Sequence, residues 1–235
     1  MAYKRVLLKL SGEQLAGKFD SGIDAELGAW LAQQVAEVVK DGTQVVIMVG
    51  GGNYARGAQL AGHGIGRVTA DNVGMLATMM NAIALADIFN AHEVSARALT
   101  NIKADQVADQ FTHRRAISDL GKNHVVIVAG GIGRPYLTTD TAAVSLALEL
   151  DCEVVLKATK VDGVYDKDPA KFPDAVKVEH MSFDEAVSNG AITVMDKAAL
   201  GLAMEHGLSI VVFDALTEAN ITRVAAGEQI GTKIS

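Results

Sequence analysis

Cysteine is almost absent from this chain. Its 235 residues hold one, Cys152, which leaves no partner for an intramolecular disulfide. Positive charge is also scarce: 21 Lys and Arg stand against 28 Asp and Glu, a formal net charge of −7. Binding to nucleic acid or to an anionic membrane over a broad surface needs clustered cations, so neither is expected as a partner. The six histidines never fall at the i, i+4 spacing of a helical metal pair, and Cys152 has no cysteine neighbour, so no protein-built metal site is expected. No apolar run approaches the length that crosses a bilayer, and no charged leader with an apolar segment and cleavage site opens the chain. The expected compartment is therefore the cytoplasm. The G-x-S-x-G elbow of many hydrolases is missing. So are the two dominant nucleotide signatures, G-x-x-x-x-G-K-[ST] and a G-x-G-x-x-G that follows a strand, so neither a P-loop enzyme nor a dinucleotide Rossmann protein is well supported.

What is present is apolar and periodic. Apolar residues make up 49% of the chain, enough for a sizeable core, and no linker-like or low-complexity tract divides it, so one domain over 1–235 is expected. Strand candidates at 5–10, 45–49, near 92–99, 124–131, 153–159 and 208–214 alternate with helical stretches, the mark of a layered α/β fold with a largely parallel sheet. Asp24 reads as the N-cap of a helix with Leu27, Leu31, Val35 and Val38 at helical spacing and Gly42 just past its end. The stretch "NVGMLATMMNAIALADIF" reads as a methionine-rich helix whose stripe serves core or subunit contact. The segment "KVDGVYDKDPAKFP" reads as a hairpin excursion.

In open α/β sheets ligands gather at the carboxyl ends of strands, and four such ends carry suitable residues. They are "KLSGE", "GGGNYARG", "AGGIGRPYLTTD" and "KATKVDGVYDKDP". Glycine permits close backbone approach, while Lys9, Arg56 and Lys160 supply positive charge. This combination fits a polyphosphate ligand, and phosphoryl transfer needs mainly positioning and charge stabilisation.

The segments "YKRVLLKLSGE", "GGGNYARG", "DNVGMLATMMNA", "YLTTDTAA" and "LKATKVDGVYDKDP" also follow the order and approximate spacing of a known family. Over essentially its whole length the chain resembles the bacterial UMP kinases of the amino acid kinase family. The resemblance implies a three-layer α/β/α sandwich without a P-loop, its N-terminal part mainly UMP-binding and its C-terminal part mainly ATP-binding. It implies Mg²⁺-dependent transfer of the ATP γ-phosphoryl group to UMP, within pyrimidine nucleotide synthesis. It also implies a homohexamer, with GTP as activator and UTP as inhibitor.

Roles follow residue by residue from the same resemblance. Lys9, Arg56 and Asp140 are the expected catalytic residues, Asp140 orienting the positive groups. ATP is expected at Lys9, Leu10, Ser11, Gly12, Gly52, Arg56, Thr159, Tyr165 and Asp168. UMP is expected at Gly51, Asp71 and the loop Ile132, Gly133, Arg134, Pro135, Tyr136, Leu137, Thr138 and Thr139. Read without the family, Lys9 is a strand-end surface lysine, Arg56 a surface ion pair, and Asp71 and Thr138 helix caps. Ile132, Arg134 and Leu137 depart from the G-T-G-N-P and aromatic-pair pattern of many bacterial members, while Gly133, Pro135 and T-T-D keep it. Two rival readings stay open: a family enzyme with a carboxylate or carbamate acceptor, and a non-catalytic nucleotide sensor or storage assembly on the same fold.

Overall fold

The strand Arg5–Leu10 (β1) is apolar without alternation because both of its faces are covered. Val6, Leu8 and Leu10 enter one core and Leu7 the other, which is how a strand in the middle of a layered parallel sheet must read. The computed structural model describes residues 2–55, 60, 64–167, 171–188 and 195–235.

Further strands are β2 (Gln44–Val49), β3 (Ala96–Thr100), β4 (Asp109–Gln110), β5 (Val125–Ala129), β6 (Val154–Thr159), β7 (Val164–Tyr165), β8 (Lys177–Val178), β9 (His180–Met181), β10 (Ser209–Asp214) and β11 (Thr232–Ile234). Among the described residues the main sheet runs β4-β3-β5-β2-β1-β6-β10-β11-β9, and β7 with β8 forms a separate antiparallel hairpin. Every pairing in the main sheet is parallel except β10 with β11. The strands β1 to β6 and β10 therefore deliver their carboxyl ends to one edge, while β9 and β11 run the other way.

The described helices are α1 (Gly12–Leu15), α2 (Ala25–Lys40), α3 (Arg67–Ala91), α4 (His113–Leu120), α5 (Thr139–Glu149), α6 (Phe183–Ser188), α7 (Lys197–His206) and α8 (Asn220–Ala225). One face of the sheet packs on α2, α3 and α8 through Leu31, Val35, Leu85, Phe89 and Ile221. The other packs on α4, α5, α6 and α7 through Leu120, Leu146, Phe183 and Leu200. The result is the α/β layering with a mostly parallel sheet that the sequence implies.

Local signals act as expected in α2. The Asp24 carboxylate accepts from the N–H groups of Glu26 and Leu27 at 3.0 and 3.4 Å, and Gly42 follows the helix at φ 91°. Two expectations need correction. Asp71 does not cap the methionine-rich helix, because α3 begins at Arg67, with Gly66 as its N-cap. That helix is also long and apolar enough, by length and composition, to cross a membrane, contrary to the expectation that no run approaches this. The run is hard to see in the sequence because Asp71, Asn72, Asn81, Asp87 and Asn90 punctuate it. In the fold α3 lies against the sheet and α2, with Leu85 and Phe89 fully buried and Asn81 hydrogen-bonded to the Gly50 carbonyl.

Candidate active site

Two lysines interrupt the ends of otherwise apolar strands. Lys9 in β1 and Lys157 in β6 are register partners, and both are nearly buried. The carboxylate that balances them comes from Asp140 in the first turn of α5. Lys9 Nζ lies 2.8 Å from Asp140 Oδ1, and Lys157 Nζ lies 2.6 Å from Oδ2. Burial pushes the Asp140 carboxyl up, but the two ammoniums outweigh it and hold the group below the ordinary carboxylate range. Burial lowers Lys157 below the ordinary lysine range, with Asp140 opposing that shift and Lys9 adding to it. The outcome is a fixed cationic centre at the carboxyl edge of the sheet.

Asp140 is held in place by the start of its own helix. The Thr138 hydroxyl caps α5, accepting from the Asp140 and Thr141 N–H groups at 3.0 and 3.4 Å. Thr138 and Thr141 in turn donate to Asp196, which caps α7 through the Ala199 N–H at 2.9 Å. Thr138 thus has the capping position its sequence suggests.

The glycine-rich turns meet each other beside this centre. A Cβ on Gly12 would lie 2.6 Å from the Gly52 nitrogen, and one on Gly50 would lie 2.9 Å from the Gly12 nitrogen. A Cβ on Gly51 would lie 2.7 Å from the Gly74 carbonyl oxygen and 2.8 Å from Ala77 Cβ. The chain's own backbone already demands these three glycines: the loop after β2 crowds Gly12, α1 crowds Gly50 and α3 crowds Gly51. A buried asparagine pair locks the arrangement: Asn53 and Asn81 exchange hydrogen bonds at 2.8 and 2.7 Å, and Asn81 also donates to the Gly50 carbonyl at 2.7 Å.

A cavity of about 200 Å³ opens between α3 and the loop that follows β5. Gly51, Asp71, Met75 and Thr78 line one side, and Gly131, Arg134, Leu137, Thr138 and Thr139 the other. The loop's path depends on glycine, since Gly130, Gly131 and Gly133 stand at φ 79°, 53° and 74°. The Thr78 hydroxyl accepts from the Gly130 N–H at 2.7 Å and ties loop to helix. Asp71 takes the Arg67 guanidinium and the Tyr136 N–H.

Most of the residues singled out in the sequence converge here, with exceptions. Ile132 packs partly buried against the core rather than lining the cavity, and Gly133 and Pro135 shape the loop without lining it. Leu10 is a core residue, and Ser11 begins the α1 turn with its N–H on Gln14 Oε1 at 3.1 Å. Thr159 ends β6 with its hydroxyl on the carbonyls of Val161 and Phe213 at 2.6 and 3.1 Å. Tyr165, in the hairpin, donates to Asp162 at 2.7 Å. A second cavity of about 360 Å³, with Asp162, Lys177, Thr217 and Asn220 among its walls, lies beside that hairpin. Arg56 and Asp168 lie outside the described residues.

Lys157 and Asp196 were missed in the sequence, which named Lys160 as the third cation. The sequence signal for Lys157 was a lysine inside the apolar run "VVLKAT", whereas its register with Lys9 emerges only in the sheet. Asp196 offers only the pattern of a helix cap.

The geometry sets a buried charge centre beside a cavity at the strand ends of an α/β sheet, and comparison places the protein. Residues 4–214 match the model of the amino acid kinase family, and the chain belongs to that family. It is similar to the UMP kinase from Bacillus anthracis at 34% identity, covering 100% of this chain and 97% of that one with a TM-score of 0.95. The UMP kinase from Ureaplasma parvum is 33% identical, with both chains fully covered and a TM-score of 0.92. The uridylate kinase from Archaeoglobus fulgidus, 29% identical and fully covered both ways, superposes at 0.76.

Proposed function

We propose that the chain is a UMP kinase, a phosphotransferase that moves the γ-phosphoryl group of ATP to UMP to give ADP and UDP in pyrimidine nucleotide synthesis. The observation that carries this reading is the Lys9–Asp140–Lys157 centre, next in the chain to the Thr138 and Thr139 that line the cavity. Likeness over the full length to two UMP kinases supports the choice of acceptor.

In this reading the cavity takes UMP. Asp71 accepts from the ribose hydroxyls, Gly51 meets the acceptor phosphate, and residues 132–139 enclose the nucleoside. ATP lies along Lys9, Leu10, Ser11, Gly12, Gly52, Arg56, Thr159, Tyr165 and Asp168, with its base toward the hairpin. The Gly50 N–H is engaged by the Leu10 carbonyl at 2.9 Å, so the phosphate-facing backbone donors are assigned to Gly51 and Gly52. The two ammoniums, joined by Arg56, stabilise the equatorial oxygens of the group in transit. Asp140 aligns the ammoniums and abstracts no proton, because the acceptor phosphate is already anionic at neutral pH. The 1–235 chain acts as one domain, its N-terminal part serving UMP and its C-terminal part ATP.

Mg²⁺ is the expected companion of ATP. Among the described residues no three His, Cys, Asp or Glu side chains gather into a cage, and the Asp140 carboxylate is committed to two lysines. The donor set fits an ion carried on the phosphates, which offsets their charge. A homohexamer is the proposed assembly, supported by an open groove of about 750 Å³ beside Met80, Ile83 and Val107, where Met80 and Val107 are exposed. GTP activation, UTP inhibition, a cytoplasmic setting, and independence from membranes and nucleic acid complete the proposal.

The test is ADP release with ATP and Mg²⁺, offering UMP, CMP, dUMP, acetylglutamate and aspartate, with and without GTP. Turnover of UMP alone is the expected result. Turnover of a carboxylate instead would transfer the protein to another branch of the family, and binding without any turnover would make it a nucleotide sensor.

A further inference from the structure

Asp71 sits one turn into α3, at the mouth of the 200 Å³ cavity, and its carboxylate already has partners. The Arg67 Nε–H lies 2.9 Å from Oδ1 and 2.8 Å from Oδ2, and the Tyr136 N–H donates to Oδ2 at 2.8 Å. The Arg67 guanidinium stands 5.1 Å from the centroid of the Tyr136 ring, within cation–π reach. Tyr136 holds φ at 67°, a left-handed conformation that side-chain-bearing residues rarely adopt.

An Arg–Asp pair at i, i+4 on a helix is by itself an ordinary surface feature. Here a second element joins it. Arg67 bonds Asp71, Asp71 bonds the backbone of Tyr136, and the ring of Tyr136 returns to Arg67, so the circuit ties α3 to the loop across the cavity. Tyr136 is 64% exposed, so burial does not explain its position. A carboxylate offers about four lone-pair directions. The shared Arg67 proton and the Tyr136 N–H together leave room on Oδ1 for one more donor.

We propose that Arg67 is a positioning residue that works with Tyr136 to orient the Asp71 carboxylate toward the ribose 2′-hydroxyl, and so sets the preference for a ribonucleotide over a 2′-deoxyribonucleotide acceptor. This rests on the reading that the acceptor is UMP. A uridine nucleotide lacking the 2′-hydroxyl forgoes the bond that the circuit prepares, so loss of Arg67 penalises UMP and spares dUMP. Arg67 touches neither transferred group nor ATP in this scheme, so the chemical step is untouched.

The experiment compares the full-length protein with Arg67→Gln, using UMP and dUMP as acceptors at saturating MgATP. The expected result is a rise of about tenfold in KM for UMP, with kcat, the KM for ATP and the KM for dUMP each within about twofold. The UMP to dUMP ratio of kcat/KM then falls about tenfold. Asp71→Asn lowers the same ratio, and the double variant falls no further than Asp71→Asn alone, because the two residues act as one unit. A ratio unchanged in Arg67→Gln, or equal rises in KM for both acceptors, overturns the proposal. Should Arg67→Gln not fold, Arg67→Lys carries the same test, with a fall of about threefold expected and an unchanged ratio overturning it. The unaltered protein is assayed first: absence of UMP turnover there overturns the acceptor reading and the proposal with it, whereas UMP turnover with an unaffected variant overturns the proposal alone.

Discussion

Lys9 and Lys157 are register partners on adjacent parallel strands, and the two oxygens of one carboxylate, Asp140, are divided between them. Neighbouring strands run about 4.8 Å apart, so without that carboxylate the strand spacing would set two ammoniums side by side in a poorly solvated place. The three groups therefore function as a unit.

Replacing Lys9 or Lys157 by alanine is expected to lower kcat on the order of 10² or more, as loss of a transition-state donor does. Arg56→Ala is expected to act similarly. The Lys9→Ala, Lys157→Ala double variant should fall well short of the product of the single losses. Steady-state ADP release on folded protein checks this, and near-normal kcat in any single variant refutes that residue's role.

Asp140→Asn keeps the shape and removes the charge. Lys9 and Lys157 then lose the partner that opposes their repulsion, and the Lys157 proton becomes easier to lose. The alkaline limb of the kcat profile is expected to move to lower pH relative to the unaltered protein, alongside a large fall in kcat. A pH–rate profile whose alkaline limb stays in place would show that Asp140 does not govern the lysines.

In the unaltered protein the Asp140 carboxyl titrates below its ordinary range. Its stabilising contribution is full above the unfolded value and is lost as pH falls through the depressed folded one. Lys157, lowered in the fold, has the opposite relation: its charging penalty is present below the folded value and is relieved as pH rises through it. Urea unfolding of the unaltered protein and Asp140→Asn should therefore differ most near neutral pH and converge in acid. The acid limb of activity is expected near the second ionisation of the acceptor phosphate, at about pH 6, rather than at Asp140.

Gly51→Ala brings a methyl group within 2.7 Å of the Gly74 carbonyl and 3.0 Å of the Thr78 nitrogen, both in α3. The strain is expected to cost about 1–3 kcal/mol and to raise the KM for UMP, because the same helix walls the cavity. Gly201→Ala, in α7 with nothing within 4 Å of the new methyl, is expected to stabilise by up to about 1 kcal/mol through helix propensity and leave activity unchanged. Thermal unfolding of the two variants in opposite directions checks both.

The layered sheet was legible because its strands are short apolar runs between helices with recognisable caps, as at Asp24. The cationic centre was only half legible. Lys9 announces itself beside Ser11 and Gly12, but Lys157 acquires its meaning from the strand register, a pairing between residues 148 positions apart that no local pattern encodes. Lys160, adjacent to the D-G turn, was the more visible lysine for that reason. The demand for glycine at 50 and 51 was visible too, but the backbone that comes so close, on α1 and α3, becomes apparent only when the helices pack. Asp71 shows the same limit: at the start of a helix it resembles a cap, and its attachment to Tyr136 depends on a loop 65 residues away.

The charge centre is built on β1, β6 and the first turn of α5, whereas the cavity beside it borrows most of its walls from α3 and the loop after β5. Those two groups of residues can mutate on different schedules. A lineage can therefore reshape the cavity by rewriting one helix face and one loop while the two lysines and their shared carboxylate stay fixed. Divergence of substrate within the family needs no reinvention of chemistry.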